Sequence, residues 1–197
     1  MRLIALLVLC LALSLVALLA VSPGVDAACA DSYKIDPVHS IVLVRAKHIG
    51  VSYSYVRFND IAGKISVDEA DPGRDGIEVT IKAESVDSFN AKRDDHLRGP
   101  DFLNVKQFPV ITFKSTAVKK TGDSEFELTG DLMLHGVTKS ITTKLVRVGA
   151  GKDPWGGYRT GAEARFTVKR SDFGMTFMLE GVGDELDVIV SIEGIKE

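Results

Sequence analysis

Ile77-Glu78-Val79-Thr80-Ile81-Lys82-Ala83-Glu84 alternates apolar and polar side chains without a break. A strand sends successive side chains to opposite faces, so this stretch reads as a strand with one apolar face and one wet face. The same period recurs outward along the chain. Phe126, Leu128, Gly130, Leu132 and Leu134 alternate with Glu127, Thr129 and Asp131, and Tyr158 to Val168 alternates with Arg159, Glu163, Arg165, Thr167 and Lys169. Less regular runs cover Ser40 to His48, Val56 to Val67, Val110 to Lys119, Val137 to Val148 and Leu186 to Ile195. Turn chemistry separates most of them: Asp71-Pro72-Gly73, Thr121-Gly122-Asp123, Gly149 to Gly157 and Gly181-Val182-Gly183-Asp184. The sum is about eight strands in hairpin order, hence antiparallel. Two inserts break the rhythm. Asn90 to Arg98 is charge-rich, follows a capping residue at Ser88 or Asn90 and stops at Gly99-Pro100, which predicts a short helix after the third strand. Ser171 to Met175 is the second.

The N-terminus bears on compartment. Arg2 precedes an apolar run from Leu3 to Val21, then Ser22-Pro23-Gly24 and small residues, the layout of a secretory signal. Residues 1–30 are therefore expected to be a signal peptide, cleaved after Ala27 or, preferably, Ala30, with 31–197 as one barrel domain. An uncleaved anchor and lipidation at Cys29 are the alternatives. Cys10 and Cys29 leave no disulfide framework in the mature chain. The signal carries away one base, Arg2, and one acid, Asp26, so the net charge stays at -3. Interspersed charge of that sign argues against nucleic acid as a partner.

An antiparallel sheet of this size escapes exposed edges by closing into an up-and-down barrel, whose interior can hold one small ligand. Gly63, Ala83, Ala117, Gly130, Ala162 and Ala164 are inferred to point inward, where they remove volume that Leu or Phe would fill. That favours an apolar tunnel, the competing reading being that bulky partners opposite occupy the space. Inward residues such as Ile81, Phe113, Leu132, Leu134 and Phe166 carry no charge, so the buried part of a ligand is hydrocarbon.

Among the polar residues, His39, His48, His96 and His135 lie in four separate segments with no short ligand spacing, so no metal site is expected. His39 and His48 are expected to hydrogen-bond backbone at the ends of the first strand, and His135 beside Gly136 reads as a turn residue. Arg93, Asp94, Asp95, His96 and Arg98 form the densest charge cluster. It reads either as a solvated helix with a salt bridge or as a place where Arg93, His96 or Arg98 meets a phosphate or quinone head. Hydrolysis has no support: His39 and Ser40 are adjacent on a strand and face opposite ways, and no nucleophile turn or phosphate loop occurs.

Several segments together resemble the YceI-like, polyisoprenoid-binding family. They are Tyr33-Lys34-Ile35-Asp36-Pro37-Val38-His39-Ser40, His48-Ile49-Gly50-Val51-Ser52, Arg93-Asp94-Asp95-His96-Leu97 with Asp101-Phe102-Leu103, and Phe108-Pro109-Val110-Ile111-Thr112-Phe113-Lys114-Ser115. Leu128 to Leu132 with Gly136 to Lys139, and Arg170 to Met175 with Val182 to Glu185, complete the order. The resemblance implies an all-β, eight-stranded lipocalin-like barrel, periplasmic in bacteria, holding a polyprenyl phosphate or isoprenoid quinone with its head near the mouth. It brings no catalytic residue and no cofactor beyond that lipid. Tyr53 to Phe58 lacks a glycine common before the Arg57-Phe58 pair, and Phe89 stands where threonine is common; both bear on which lipid is bound. Expected ligand contacts are Phe58, Ile81, Phe113, Leu132 and Phe166 in the wall, Phe89, Leu97, Phe102, Leu103, Phe108 and Phe173 at a rim or lid, and Arg93, His96 and Arg98 at the head. Expected partners are the lipid, transient contact with the membrane or a quinone-using membrane protein, and at most a second copy. The rival readings are a filled barrel acting as a stress-response or protein-interaction module, and an electron-transfer accessory presenting a quinone.

Overall fold

The computed structural model describes residues 30–197; the apolar run, both cysteines and the Ala27 cleavage point lie outside them. Eleven strands form a single antiparallel sheet: β1 (Asp31–Ile35), β2 (Ile41–His48), β3 (Ser52–Phe58), β4 (Ile61–Val67), β5 (Gly76–Lys82), β6 (Val86–Asp87), β7 (Val110–Lys120), β8 (Glu125–Leu134), β9 (Val137–Lys152), β10 (Tyr158–Lys169) and β11 (Val182–Lys196). They make eight staves, because the first three are each broken once. β1 and β2 run the same way and both pair with β11, while β3 pairs β2 and β4 pairs β1. β5 and β6 likewise pair β4 and β3. The remaining staves follow as simple hairpins from β7 to β11. Pairing of Tyr33, Lys34 and Ile35 with Lys196, Ile195 and Gly194 closes the ring. The architecture is the closed eight-stranded antiparallel barrel that the alternation predicts.

Each break is stitched. At the second, Asn59 N–H donates to Ser85 O and Lys82 N–H to Asp60 O, so the ladder resumes on the next residue. At the first, Asp36 N–H donates to Glu193 O and Glu193 N–H to Ser40 Oγ. β1 is absent from the sequence reading because Asp36-Pro37 and the bend behind it hide its continuity with β2. β9 and β11 also run into stretches read as turns, reaching Lys152 and beginning at Val182. Small and polar residues there are carried by long ladders on both sides.

The inserted helix α1 (Ala91–Arg98) stands after the third stave. Asn90 caps it, its side-chain oxygen accepting from Arg93 N–H at 3.0 Å. Buried Asp94 turns inward to accept from Ser88 N–H and Oγ. Arg98 donates to the carbonyls of Glu84 and Val86, and Arg93 to Ser88 Oγ and carbonyl. The helix is thus riveted to the sheet through side chains, since its own surface is almost wholly polar.

Topology separates the two ends. The 49–51 turn, α1, the His135-Gly136 turn and the 170–181 segment crowd one end; the 68–75, 121–124 and 153–157 connections lie at the other. At that far end Tyr33, Ile35, Ile65, Val118 and Phe126 are buried against one another's neighbours as a packed plug.

Candidate functional site

Above the plug the barrel is hollow. A cavity of about 350 Å³ occupies its middle and reaches the helix end, within the usual size of a small-ligand site. Its wall is hydrocarbon: Val42, Val44, Val56, Val79, Val188 and Val190 contribute short branched side chains, with Leu128, Leu132, Ile141, Leu145 and Ile192 between them. Thr112 and Thr143 are the polar residues of the mid-wall, and Thr143 spends its hydroxyl on Arg165 O. Lys47, His48, Ser54, Arg93, His96 and Arg170 also line the space, all from elements at the helix end. Polarity therefore rises along the axis, from a dry floor to a mouth with cationic and imidazole groups.

Of the small residues read as volume-removing, only Ala162 and Ala164 line the cavity. The space over Gly130 is filled, because a Cβ there would lie 2.4 Å from Phe113 Cζ and 2.6 Å from Lys114 O. At Gly63 the Glu78 carbonyl occupies the equivalent place, and Ala83 is buried in the short turn after β5. Ala117 is a correction: it points outward, because a bulge between Ser115 and Ala117 shifts the β7–β8 register and puts Val118 inside instead.

The residues singled out in the sequence divide. Phe58, Ile81, Arg93, His96, Leu97, Phe102, Leu103, Phe113, Leu132 and Phe166 all line the cavity. Arg93 and Leu97, one helical turn apart, reach it together. Four do not. Phe89 stands outside, exposed and at positive φ, with the Arg57 guanidinium over its ring at 5.2 Å. Arg98 is consumed by carbonyls of the third stave. Phe108 packs on the His135 ring at 4.4 Å under Gly136, and Phe173 is the buried residue at the start of the 170–181 segment. His39 is a further correction: its Nδ1 pairs with the Asp36 carboxylate at 2.8 Å, not with backbone. His135 sits in the two-residue turn as read, its Nδ1–H donating to Phe173 O.

Sequence reasoning missed Arg170, Met175, Phe177 and Met178, which line the upper cavity. Arg170 is 2 % exposed and donates to the carbonyls of Gly183, Met175 and Val182, tying the 170–181 segment to the start of β11. Burial lowers the pKa of its guanidinium, and the nearby Asp184 works against that shift. Phe177 completes an edge-on aromatic group with His96 and Phe102, at centroid separations of 5.0 to 5.7 Å. His96 is held in it by Asp101 at 2.9 Å. The missing signal was topological: nothing short of the closed ring brings 170–178 beside 96–102.

Outside the barrel, Asp36, His39 and Glu193 lie close enough to share a cation. Arg159 already fills that role, with Nη1 on Asp36 at 2.7 Å and on Glu193, and Nε on Asp153 at 2.9 Å. The hydrogen bonds from His39 and Arg159 hold the Asp36 carboxyl far below the usual carboxylate range.

Comparison with known proteins places this geometry. The YceI-like domain model matches residues 33–194. A protein of Pseudomonas aeruginosa named UPF0312 protein is 47 % identical over 172 residues, covering 86 % of this chain and 90 % of that one. Among solved structures, Burkholderia cenocepacia BcnA superposes with a TM-score of 0.74 at 21 % identity, covering 81 % of this chain and 98 % of its own. A polyisoprenoid binding domain from Saccharophagus degradans, described as implicated in plant cell wall breakdown, gives 0.67 at 16 %, covering 84 % and 98 %.

Proposed function

Since the chain belongs to the YceI-like family, we propose that it is a non-catalytic, exported binding protein that carries a long isoprenoid-type lipid in its barrel. The cavity carries this reading: a hydrocarbon-walled space closed by a packed floor and open toward a polar, cationic mouth. Such a gradient matches an amphiphile whose tail enters first. Each buried methylene contributes about 0.8 kcal/mol, so a polyprenyl tail supplies ample affinity from the wall alone. The head group, a phosphate or a quinone carbonyl, then meets Lys47 and the Arg93 Nη1, which makes neither of the bonds to Ser88, beside the His96 ring whose Nε2–H is given to Asp101. Support for the isoprenoid class comes from the resemblance over 33–194 and from the polyisoprenoid binding domain that shares the fold. Export to a periplasm rests on the apolar N-terminal run followed by small residues. An open interior speaks against the filled-barrel module.

Native mass spectrometry of protein purified from its own host, with extraction of any released lipid, tests the reading. The expected result is one polyprenyl or quinone molecule per chain. A bare chain that also takes up no added polyprenol would overturn it.

A further inference from the structure

At the mouth, two neighbouring turns present large apolar side chains to water. Ile49 and Val51 project from the β2–β3 turn, 57 % and 78 % exposed, and Phe177, Met178 and Leu179 from the 170–181 segment. The turns form one surface, joined by the Ile49 N–H to Gly181 O bond at 2.8 Å and by the His48–Val182 pair. Both place an apolar residue in left-handed backbone: Ile49 has φ 41° and Met178 φ 50°. A β-branched residue there is an outlier, and the position before Gly50 in so tight a turn would ordinarily take Asn or Asp. Strain of this kind persists where the displayed side chain has a use. The patch is also continuous with the interior, because Phe177 and Met178 line the cavity and face solvent at once.

We infer that this rim is a membrane-docking surface: Ile49, Val51, Phe177, Met178 and Leu179 enter the outer part of a lipid bilayer, bringing the cavity mouth against the hydrocarbon from which a tail is taken. The inference rests on the carrier reading. A lipid surface fits better than a protein because side chains on two tight turns make protruding points rather than a flat complementary face. An apolar path from bilayer to cavity also spares the tail a passage through water. Insertion of these five side chains rests on burial of apolar surface, so vesicles of neutral lipid suffice to read it.

The test is hydrogen exchange on the full chain with and without phosphatidylcholine vesicles. Protection confined to segments 48–52 and 176–182, with the 121–124 and 153–157 turns at the other end unchanged, is the expected result. Protection absent, placed at the other end, or appearing without vesicles as protein concentration rises would overturn the inference, the last because a second copy then covers the rim. A triple variant, Ile49→Asn, Val51→Ser and Leu179→Ser, relieves the strained Ile49 position and touches no residue of the cavity lining, so it should fold at least as well. It should slow polyprenol uptake from vesicles by about tenfold or more while leaving uptake from ethanolic solution intact. Equal slowing of both routes, or of neither, counts against the rim. If the unaltered chain takes polyprenol from neither source, it is the carrier reading that fails.

Discussion

At the level of single residues, two positions carry more than their size suggests. Gly130 lies under the Phe113 ring, with no room for a methyl group between Phe113 and the Lys114 carbonyl. Gly130→Ala should therefore destabilise the barrel by about 1–3 kcal/mol, read as a lowered urea midpoint with unchanged slope. Arg170 is the other. It is buried and bonded to three carbonyls, so its removal takes a donor from each and leaves a gap beneath the 170–181 segment. Arg170→Ala should cost about 3 kcal/mol and expose the 170–181 segment to limited proteolysis before the rest of the chain.

Among the elements, the broken first stave is the most dependent on charge. Its bend is held by Asp36, which binds His39 and Arg159, and Arg159 ties it to Glu193 of β11 and to Asp153 of the turn ahead of β10. Because the folded pKa of Asp36 is lowered, its contribution is complete above the ordinary carboxylate range, near 3.8, and is lost as pH falls through the folded value. Melting temperature should thus fall below about pH 4, and Arg159→Gln should lower stability at neutral pH while flattening that acid loss. Thermal melts across the acid range check both. The break also shows what sequence could and could not reveal. Period-two alternation exposes a strand whose neighbours are regular, as for β5, β8 and β10. It fails at β1, where five residues alternate too briefly to register, and at Ala117, where a bulge reverses the faces after it. The wall residues were legible from alternation. Of the rim, Leu97, Phe102 and Leu103 were named through the family resemblance, whereas Phe177 and Met178 were not, since they belong to no periodic element and reach the site only through ring closure.

For the whole molecule, the proposed carrier function and the stability draw on separate parts of the interior. The plug of Tyr33, Ile35, Ile65, Val118 and Phe126 supplies packed core at one end, and the valine-lined space above it contributes less packing. Filling that space should separate the two. Ala164→Phe places a ring in the mid-wall of the cavity, and polyprenol uptake should drop by about tenfold or more while stability changes by less than about 1 kcal/mol. Native mass spectra and melts on one sample read both quantities. The closure of the ring by β1 and β11 also fixes an order of events in time. The strand that seals the barrel is the last of the eleven described strands to be made, and its partner is the first of them, more than 150 residues earlier. Until β11 arrives, the leading strands lack a neighbour on one side, so the barrel stays open and threadable while the ten strands before it are made.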